Sequence, residues 1–376
     1  MNKQFISLLF IIAFFTINSL NLHAQGMTVS GILDSSVQAT AGNAPGFSLG
    51  MEEYANIRFQ SKIRDKAAVY GAVNLIAATG NYADNAAKMA ALVVGSPFNS
   101  TSYVYGENYI AGIELERLYF RLSGESVSFD GGLMRLPFGY GQVWKPSDFL
   151  NPSNPLKPDA RPRAILGTAF FWYPTEETKL LTFYSAPRDP FTQKGGGSFA
   201  GLSFDKHWSK ASIQTLYNFE TPKEDSVNGI HRAGLSLKAD LVLGFVIDTL
   251  YTYNREARTR LDGLSFSGGA DYSFFGGNLI FLAEYLYNGK NSSTAFNLET
   301  NLLGLPNTHY LYTSLTLRFN DYTNMTAAVI IGFDDKSFAP ILTFNHDLFQ
   351  GATLTVSAQR PKEQYYNFTA KIRLRF

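Results

Sequence analysis

The last eleven residues of the chain alternate strictly between apolar and polar side chains. One parity holds Tyr366, Phe368, Ala370, Ile372, Leu374 and Phe376, and the other holds Asn367, Thr369, Lys371, Arg373 and Arg375. Because successive side chains of a strand point to opposite faces, this pattern predicts a β-strand with one apolar face and one basic face. Chain ends are frayed and polar unless another element holds them. A strand that runs to a terminal phenylalanine therefore predicts a partner for that end.

The same two-residue period recurs along the chain. It is found in "EYANIRFQSKIR" (53–64), "AGLSLKAD" (233–240), "GLSFSGGADYSF" (263–274), "LTLRF" (315–319) and "ATLTVSA" (352–358). In "YIAGIELERLYFRL" (109–122) the apolar parity shifts by one residue between Leu115 and Leu118, which places Glu116 and Arg117 together on the polar side. One extra residue in a strand is typical of a β-bulge, so we predict a bulge at this point.

The connections between these segments alternate in length. Short connections are predicted at 64–66, 124, 174–177, 206–208, 240, 275–277, 320–322 and 347–351. Longer polar connections are predicted at 39–52, 80–107, 137–165, 188–196, 220–229, 254–261, 289–308, 334–337 and 359–365. Eight short turns and nine long loops join about 18 strands, with 16 as the alternative if one hairpin is miscounted. Short turns at one end and long loops at the other are typical of an outer-membrane barrel, with the turns in the periplasm and the loops outside.

The first 24 residues have the features of a secretory signal peptide: Lys3, an apolar run over 5–17 and a cleavage position after Ala24. The run is shorter than the roughly 17 to 25 residues of a spanning helix, which disfavours a membrane anchor. We therefore expect one mature domain over 25–376.

The chain has no cysteine, which excludes disulfides and thiolate metal sites. A net charge of +1 argues against a nucleic-acid partner.

Beyond the signal segment, no apolar run is long enough for a spanning helix; "LVLGFVI" (241–247) is among the longest. The alternatives are a soluble β-sandwich and an all-β transmembrane antiparallel β-barrel, since only helices and closed barrels cross lipid. A sandwich would bury one face of each strand, yet aromatic-rich apolar faces extend over the whole chain. Together with the export signal and the loop alternation, this favours the barrel. Its last strand would close against the first, near "MTVSGILDSSVQA" (27–39), because a closed barrel has no free edge.

The terminal segment "YYNFTAKIRLRF", which ends at Phe376, resembles the C-terminal assembly signal of Gram-negative outer-membrane proteins. With the hairpin pattern, the mature chain looks like the porin class. This resemblance implies a bacterial outer-membrane location, outer-membrane lipid and the barrel-assembly machinery as partners, small hydrophilic solutes and a possible homotrimer. The enterobacterial general porins have a Pro-Glu-Phe-Gly-Gly segment in their constriction loop. That segment is missing here, so their pore residues do not transfer to this sequence.

The third long loop, 137–165, contains six of the chain's 15 prolines, which restrict the backbone and favour a defined path. In porins the third loop commonly folds into the barrel and narrows it, and this loop is similar in position. Its "WKPSDFLNP" (144–152) is similar to a Trp-x-Pro-x-Asp-Phe-x-Asn-Pro segment of other outer-membrane channel proteins. The candidate constriction or solute-binding residues are Arg135, Tyr140, Trp144, Lys145, Asp148, Asp159, Arg161 and Arg163. The alternative is an exposed loop that shields the barrel mouth.

The parity of the strands predicts a basic lining of the barrel interior. The inward cations are Arg58, Lys62, Arg117, Arg121, Lys371, Arg373 and Arg375. Glu114 and Glu116 are expected to pair with Arg117 and Arg121. The sequence therefore predicts passive diffusion of small hydrophilic solutes with a mild preference for anions, selected by pore width and charge.

Signals for catalysis are poor. The histidines of the mature chain are isolated and lack the spacing of a metal site. The sequence also contains no Gly-x-Ser-x-Gly nucleophile elbow. We therefore predict no enzyme, no metal and no cofactor. A barrel enzyme with a serine or aspartate beside a histidine at the rim remains an alternative. A carbohydrate channel is another, because Phe138, Tyr140 and Trp144 are suited to stacking on a sugar ring.

Overall fold

A computed structural model of the chain describes residues 26–42, 46–63, 66–80, 101–106, 108–151, 164–187, 197–222, 229–253, 261–289, 308–334, 336–362 and 365–376. The predicted signal peptide lies outside these residues. Within them, no helix has the length and hydropathy needed to cross a bilayer.

The described residues form strands of one antiparallel sheet. The strands are β1 (Met27–Gly42), β2 (Phe47–Lys62), β3 (Ala67–Gly80), β4 (Thr101–Gly106), β5 (Tyr109–Ser123), β6 (Val127–Met134), β7 (Ile165–Thr175), β8 (Thr178–Ser185), β9 (Phe199–His207), β10 (Ala211–Glu220), β11 (Ile230–Asp240), β12 (Gly244–Tyr253), β13 (Leu264–Phe274), β14 (Leu279–Asn288), β15 (His309–Asn320), β16 (Thr323–Gly332), β17 (Phe338–Phe349), β18 (Ala352–Lys362) and β19 (Tyr365–Arg375). Two short 3-10 turns lie at Leu261–Gly263 and Phe275–Gly277.

The sheet closes on itself. β1 pairs with β2 on one side and with β19 on the other, so the first and last strands are neighbours, as predicted. β3 pairs directly with β5, and the remaining strands follow in chain order. The ring therefore contains 18 strands, which confirms the predicted antiparallel barrel and the predicted strand number. Closure leaves no free edge that would present unpaired backbone groups to lipid.

The short strand β4 lies outside this ring order and was not predicted. It occupies the flank of β5 beside residues 109–114, whereas β6 occupies the same flank beside residues 118–123. β4 and β6 therefore share one position in the barrel wall, each beside a different part of β5. Because the backbone groups of 109–114 are paired by β4, β6 can end at Met134 without leaving them unsatisfied. The chain leaves the wall at this point.

The two faces of the barrel differ as the alternation predicts. Large apolar side chains are exposed on the outer face, for example Leu235, Phe245, Leu315 and Val356. Polar side chains alternate with them on the inner face. The bulge is confirmed: the pairing of β5 with β3 shifts between Leu115 and Arg117, and Glu116 is the additional residue.

The strand bounds also fix the lengths of the connections. The strand bounds leave eight short turns at one end of the barrel, of which Glu176–Glu177 between β7 and β8 is an example. Two of the predicted long loops are shorter than expected. The loop expected over 359–365 spans only 363–364, because β18 continues to Lys362 and β19 begins at Tyr365. The loop expected over 39–52 spans only 43–46, because β1 continues to Gly42 and β2 begins at Phe47. Alanine, glycine and serine at these positions hid the continuing strand pairing.

Candidate functional site

Residues 135–151, here called the inner segment, follow the end of β6 and lie inside the barrel. Their contacts reach inward-facing side chains on β5 and on strands from β7 to β17. This is the described part of the loop predicted over 137–165. Asp159, Arg161 and Arg163 of that loop lie outside the described residues.

An apolar cluster holds the first and last residues of the inner segment against the wall. Phe138 and Phe149 are buried with their rings parallel and 6.3 Å apart between centroids. They pack on inward residues of β8, β10 and β12, which are Leu181, Phe183, Leu216 and Leu250. Burial of such side chains stabilises the folded chain by about 1.5–3 kcal/mol each. The barrel interior on this side is therefore a packed core.

A second apolar cluster surrounds the middle of the inner segment. Trp144 is buried against Leu286 of β14, Tyr310 of β15 and Ile330 of β16. The strict alternation rule assigned polar side chains to these inward positions. A signal was present in the sequence, since "LIFLAEYLYN" of β14 and "TNMTAAVIIG" of β16 are apolar on both parities over part of their length.

Two inward carboxylates bind the backbone of the inner segment. Glu284 of β14 accepts hydrogen bonds from the backbone N–H groups of Gln142 at 3.1 Å, Val143 at 3.1 Å and Trp144 at 2.7 Å. Asp248 of β12 accepts from the N–H of Ser147 at 3.1 Å and from its hydroxyl at 3.0 Å. A charged acceptor strengthens such bonds. The two carboxylates replace the strand partners that these backbone groups would otherwise require.

The turn at Gly139 fits closely against the wall. Gly139 has φ of +82°, and a Cβ built on it would lie 1.9 Å from Oδ2 of Asp248. Its N–H donates to Oε1 of Gln214 at 2.7 Å. Only glycine meets both requirements, the backbone angle and the close approach.

Tyr140 lies in a polar group on β8, β9 and β10. Its hydroxyl donates to Asp205 at 3.3 Å, and Asp205 also binds Lys179 at 2.8 Å and accepts from Gln214 at 2.6 Å. Its ring is partly exposed. Tyr140 is therefore a predicted site residue that keeps an accessible surface.

Other predicted site residues are placed differently. Trp144 and Phe138 are each only 2% exposed, so neither side chain presents a face on which a solute could stack in this structure. Asp148 is also buried, and burial raises its pKa well above the ordinary value, although backbone N–H groups of Phe138 and Asn151 oppose the shift. Lys145 is partly exposed. Trp144 and Asp148 therefore have little surface for contact with a solute.

The bulge residue Glu116 connects the start of the inner segment to β5. Its Oε1 lies 3.0 Å from Nη2 of Arg135 and 3.5 Å from Nε of Arg117. It also accepts a hydrogen bond from the side chain of Asn56, whose Oδ1 accepts from Arg58. The extra residue of the bulge turns a carboxylate toward two arginines, Arg117 and Arg135. Pairing of Glu116 with Arg117 was predicted, but its contact with Arg135 was not.

The partner of Arg121 is Asp130 of β6, not a glutamate of its own strand. Nε and Nη2 of Arg121 donate to the two carboxylate oxygens at 2.7 and 2.6 Å. The guanidinium also lies over the stacked rings of Tyr70 and Tyr119, whose centroids are 4.9 Å apart. Planar geometry of this kind orients an arginine firmly.

The strands β18, β19, β1, β2 and β3 form an arc of wall with a basic inner face, here called the basic arc. Its cations are Arg58, Lys62, Lys371, Arg373 and Arg375, at positions of inward parity as predicted. Arg373 forms a two-point ion pair with Asp34 across the β1–β19 junction, at 2.7 and 2.6 Å. Arg58, Lys62 and Arg375 are exposed. The basic arc and the carboxylates under the inner segment therefore lie in different parts of the wall.

The histidines do not form a cluster within the described residues. His231 of β11, His309 of β15 and His346 of β17 have the parity of the outer face, and each bonds a neighbouring hydroxyl. The described chain contains no group of three potential metal ligands.

Comparison with known proteins rests on structure alone. No family model and no curated protein matches the sequence. Among solved structures, OccAB4 of Acinetobacter baumannii superimposes with a TM-score of 0.58 and 11% identity, over 95% of this chain and 99% of that chain. A variant of the porin of Rhodopseudomonas blastica has a TM-score of 0.49 and 13% identity, over 93% of this chain and 100% of that one. At such low identity the similarity with OccAB4 establishes the barrel fold and no more.

Proposed function

We propose that this chain is a channel of the bacterial outer membrane through which small hydrophilic solutes diffuse passively. The observation that supports it best is the inner segment, which covers one side of the barrel interior and leaves a charged, polar arc on the other. A barrel filled only for stability would have no need of exposed cations on its inner face. Exposed apolar side chains on the outer face suit a bilayer, in which every backbone group must be paired within the protein.

In this mechanism the inner segment sets the width of the pore. Its hydrogen bonds to Glu284 and Asp248 and its two apolar clusters fix its path. Solutes would pass between the inner segment and the basic arc. Arg135, Tyr140 and Lys145 are the described site residues that keep exposed surface for contact with these solutes.

A mild anion preference is a finer part of the proposal. The inward positions of the basic arc hold five cations and two carboxylates, Asp34 and Glu52. Elsewhere on the wall, Glu284 and Asp248 are engaged by the inner segment. Asp130, Asp205 and Glu220 form ion pairs with Arg121, Lys179 and Arg232. Screening limits the effect, because the Debye length is about 8 Å at physiological ionic strength. Charges near the narrowest point should dominate, which favours Arg135 and, from the sequence, Arg161 and Arg163.

Single-channel recording in planar bilayers tests the channel and its constriction. Deletion of residues 142–160 should leave the barrel closed, since the strand pairing that forms the wall lies outside these residues, and should raise the conductance at least severalfold. The matched control is a deletion of similar length in the loop 290–307, which should change the conductance little. Absence of any conductance in the folded native protein would refute the function. Equal conductance of the native protein and the 142–160 deletion would refute the constriction.

A carbohydrate-specific channel is a weaker alternative. It required Phe138, Tyr140 and Trp144 to stack on a sugar, and of these Tyr140 alone is accessible. The porin-type fold also fits a protein without catalytic activity, and we retain that prediction. No cofactor is proposed.

Assembly partners follow from two places on the outer face. The terminal strand with Phe376 is the proposed signal for the barrel-assembly machinery.

The second place is the contact between Ser35 and Glu53. The hydroxyl of Ser35 on β1 donates to Glu53 on β2 at 2.6 Å, and both residues have outward parity among apolar neighbours. A carboxylate facing lipid is costly, which favours cover by a second copy in a homotrimer. Cross-linking of purified native protein through a Glu53→Cys variant tests this contact.

A further inference from the structure

The short-turn rim of the barrel is divided into a charged part and an apolar part. Between β5 and β8 the turns contain Glu125, Glu176 and Glu177, all exposed. Between β11 and β18 the turns present large apolar side chains, beside the exposed carboxylates Asp240, Asp321 and Asp347. We call these residues the apolar arc: Leu241, Val242, Leu243, Phe275, Tyr322 and Phe349.

The side chains of the apolar arc are highly exposed to solvent for apolar residues. Val242 is 84% exposed, Phe275 is 79% exposed and Phe349 is 67% exposed. Single exposed apolar residues are common on proteins, but a contiguous set along neighbouring turns marks an interaction surface.

The backbone at Phe275 indicates that this apolar side chain is retained at a cost. Phe275 has φ of +52° in a turn followed by Gly276 and Gly277, both also at positive φ. Glycine or asparagine would adopt this angle more readily than phenylalanine. Strain of this kind is tolerated where the side chain has a role.

The apolar arc continues the lipid-facing surface without interruption. On β11 and β12 the outward residues Leu237, Ala239, Phe245 and Ile247 lead directly to Leu241 and Leu243. On β13, Tyr272 and Phe274 lead to Phe275 in the same way. A docking surface for a water-soluble partner would be expected to have a polar border on the lipid side. Here the border on that side is the membrane belt itself.

We propose that the apolar arc rests in the headgroup and acyl boundary of the bilayer leaflet on the short-turn side. A lipid surface is its occupant, and the charged turns on the other part of the rim remain in water. The barrel axis is consequently tilted, with the short-turn ends of β11 to β18 deeper in the leaflet than those of β5 to β8. This inference rests on the proposed membrane location.

Spin labels on single cysteines test the depth directly, because the native chain has no cysteine. The labelled variants are Val242→Cys and Tyr322→Cys in the apolar arc, Glu125→Cys and Glu176→Cys in the charged turns, and Val356→Cys in the lipid belt. Each is reconstituted as the full barrel in phosphatidylcholine vesicles. Accessibility to dissolved oxygen is then compared with accessibility to a water-soluble nickel chelate.

We expect labels at 242 and 322 to favour oxygen over the nickel chelate severalfold relative to labels at 125 and 176. If the label at 356 reads as lipid-exposed and those at 242 and 322 match the charged turns, the inference is wrong while the membrane location stands. If the label at 356 is itself open to the nickel chelate in the folded protein, the proposed membrane location is wrong.

Discussion

Gly31 and Phe376 close the barrel by exchanging two backbone hydrogen bonds. The N–H of Gly31 donates to the carbonyl of Phe376 at 2.8 Å, and the N–H of Phe376 donates to the carbonyl of Gly31 at 3.1 Å. The phenyl ring lies over the glycine, since a Cβ built on Gly31 would be 2.3 Å from Cζ of Phe376. The last residue is therefore both a ladder partner and the cover of a glycine on the outer face.

This closure predicts that either residue is sensitive to change. Phe376→Asp should impair assembly, because it removes the ring and places a charge near the lipid-facing surface. Gly31→Val should lower the free energy of unfolding by about 1–3 kcal/mol, since the ring must move to admit the side chain. Folded barrels migrate differently from boiled samples on detergent gels, so the folded fraction can be followed against temperature.

The control for closure is Ala39→Val, which adds bulk to the same face of β1 away from Phe376. It should behave as the native protein does. Normal folding and heat stability of both Phe376→Asp and Gly31→Val would contradict the role of this pair.

Glu284→Ala should loosen the inner segment. Three backbone N–H groups would lose their acceptor, and each buried unsatisfied group costs about 1–3 kcal/mol. Single-channel conductance should rise or fluctuate, and protease should cut the inner segment more readily. Asp240→Ala, which removes an exposed inward carboxylate near a short turn, serves as the control. Stable native conductance in Glu284→Ala would show that the carboxylate does not hold the segment.

Charge selection should reside near the inner segment. The triple change Arg135→Ala, Arg161→Ala and Arg163→Ala should move the reversal potential in a salt gradient toward cation preference. Arg318→Ala, at an exposed inward position near a short turn, should have little effect because its charge is screened. Cation selectivity of the native channel would contradict the predicted sign, and an unmoved potential in the triple variant would contradict the location.

The burial of Asp148 predicts that docking of the inner segment against the wall depends on pH. Its buried carboxyl, in a loop outside the strands, has a pKa above the ordinary value, raised chiefly by desolvation and also by the charge of Asp248, while Lys145 lowers it. A carboxyl with a raised folded pKa binds a proton more readily when the segment is docked. Docking is therefore stabilised as the pH falls and loses this contribution as the pH rises through the folded pKa.

Asp148→Asn should remove that contribution and hold the segment more firmly at neutral pH. The measurement is protease cleavage of the inner segment over a series of buffers from acidic to alkaline pH. Asp240→Asn provides the exposed control. Identical pH profiles for the native protein and Asp148→Asn would contradict this role of Asp148.

The sequence by itself determined the strands, their facing and the closure. A strand has a period of two residues, so parity is visible in any short segment, and a shift of parity reveals a bulge such as that at Glu116. The terminal pattern up to Phe376 was sufficient to predict a partner in the first strand. The boundary of β1 at Gly42 was missed, because small residues conceal alternation. The strand β4 was missed because it lies within a long loop.

The tertiary structure alone decided what fills the barrel. Glu284 and Trp144 are 140 positions apart, and their hydrogen bond exists because the chain crosses the interior between β6 and β7. The same crossing buries Trp144 and Asp148, which the sequence assigned to the pore, and covers apolar inward residues such as Leu286. A two-residue period reports which face a side chain occupies. It carries no information on whether that face meets water or another part of the chain, because burial there depends on contacts distant in sequence.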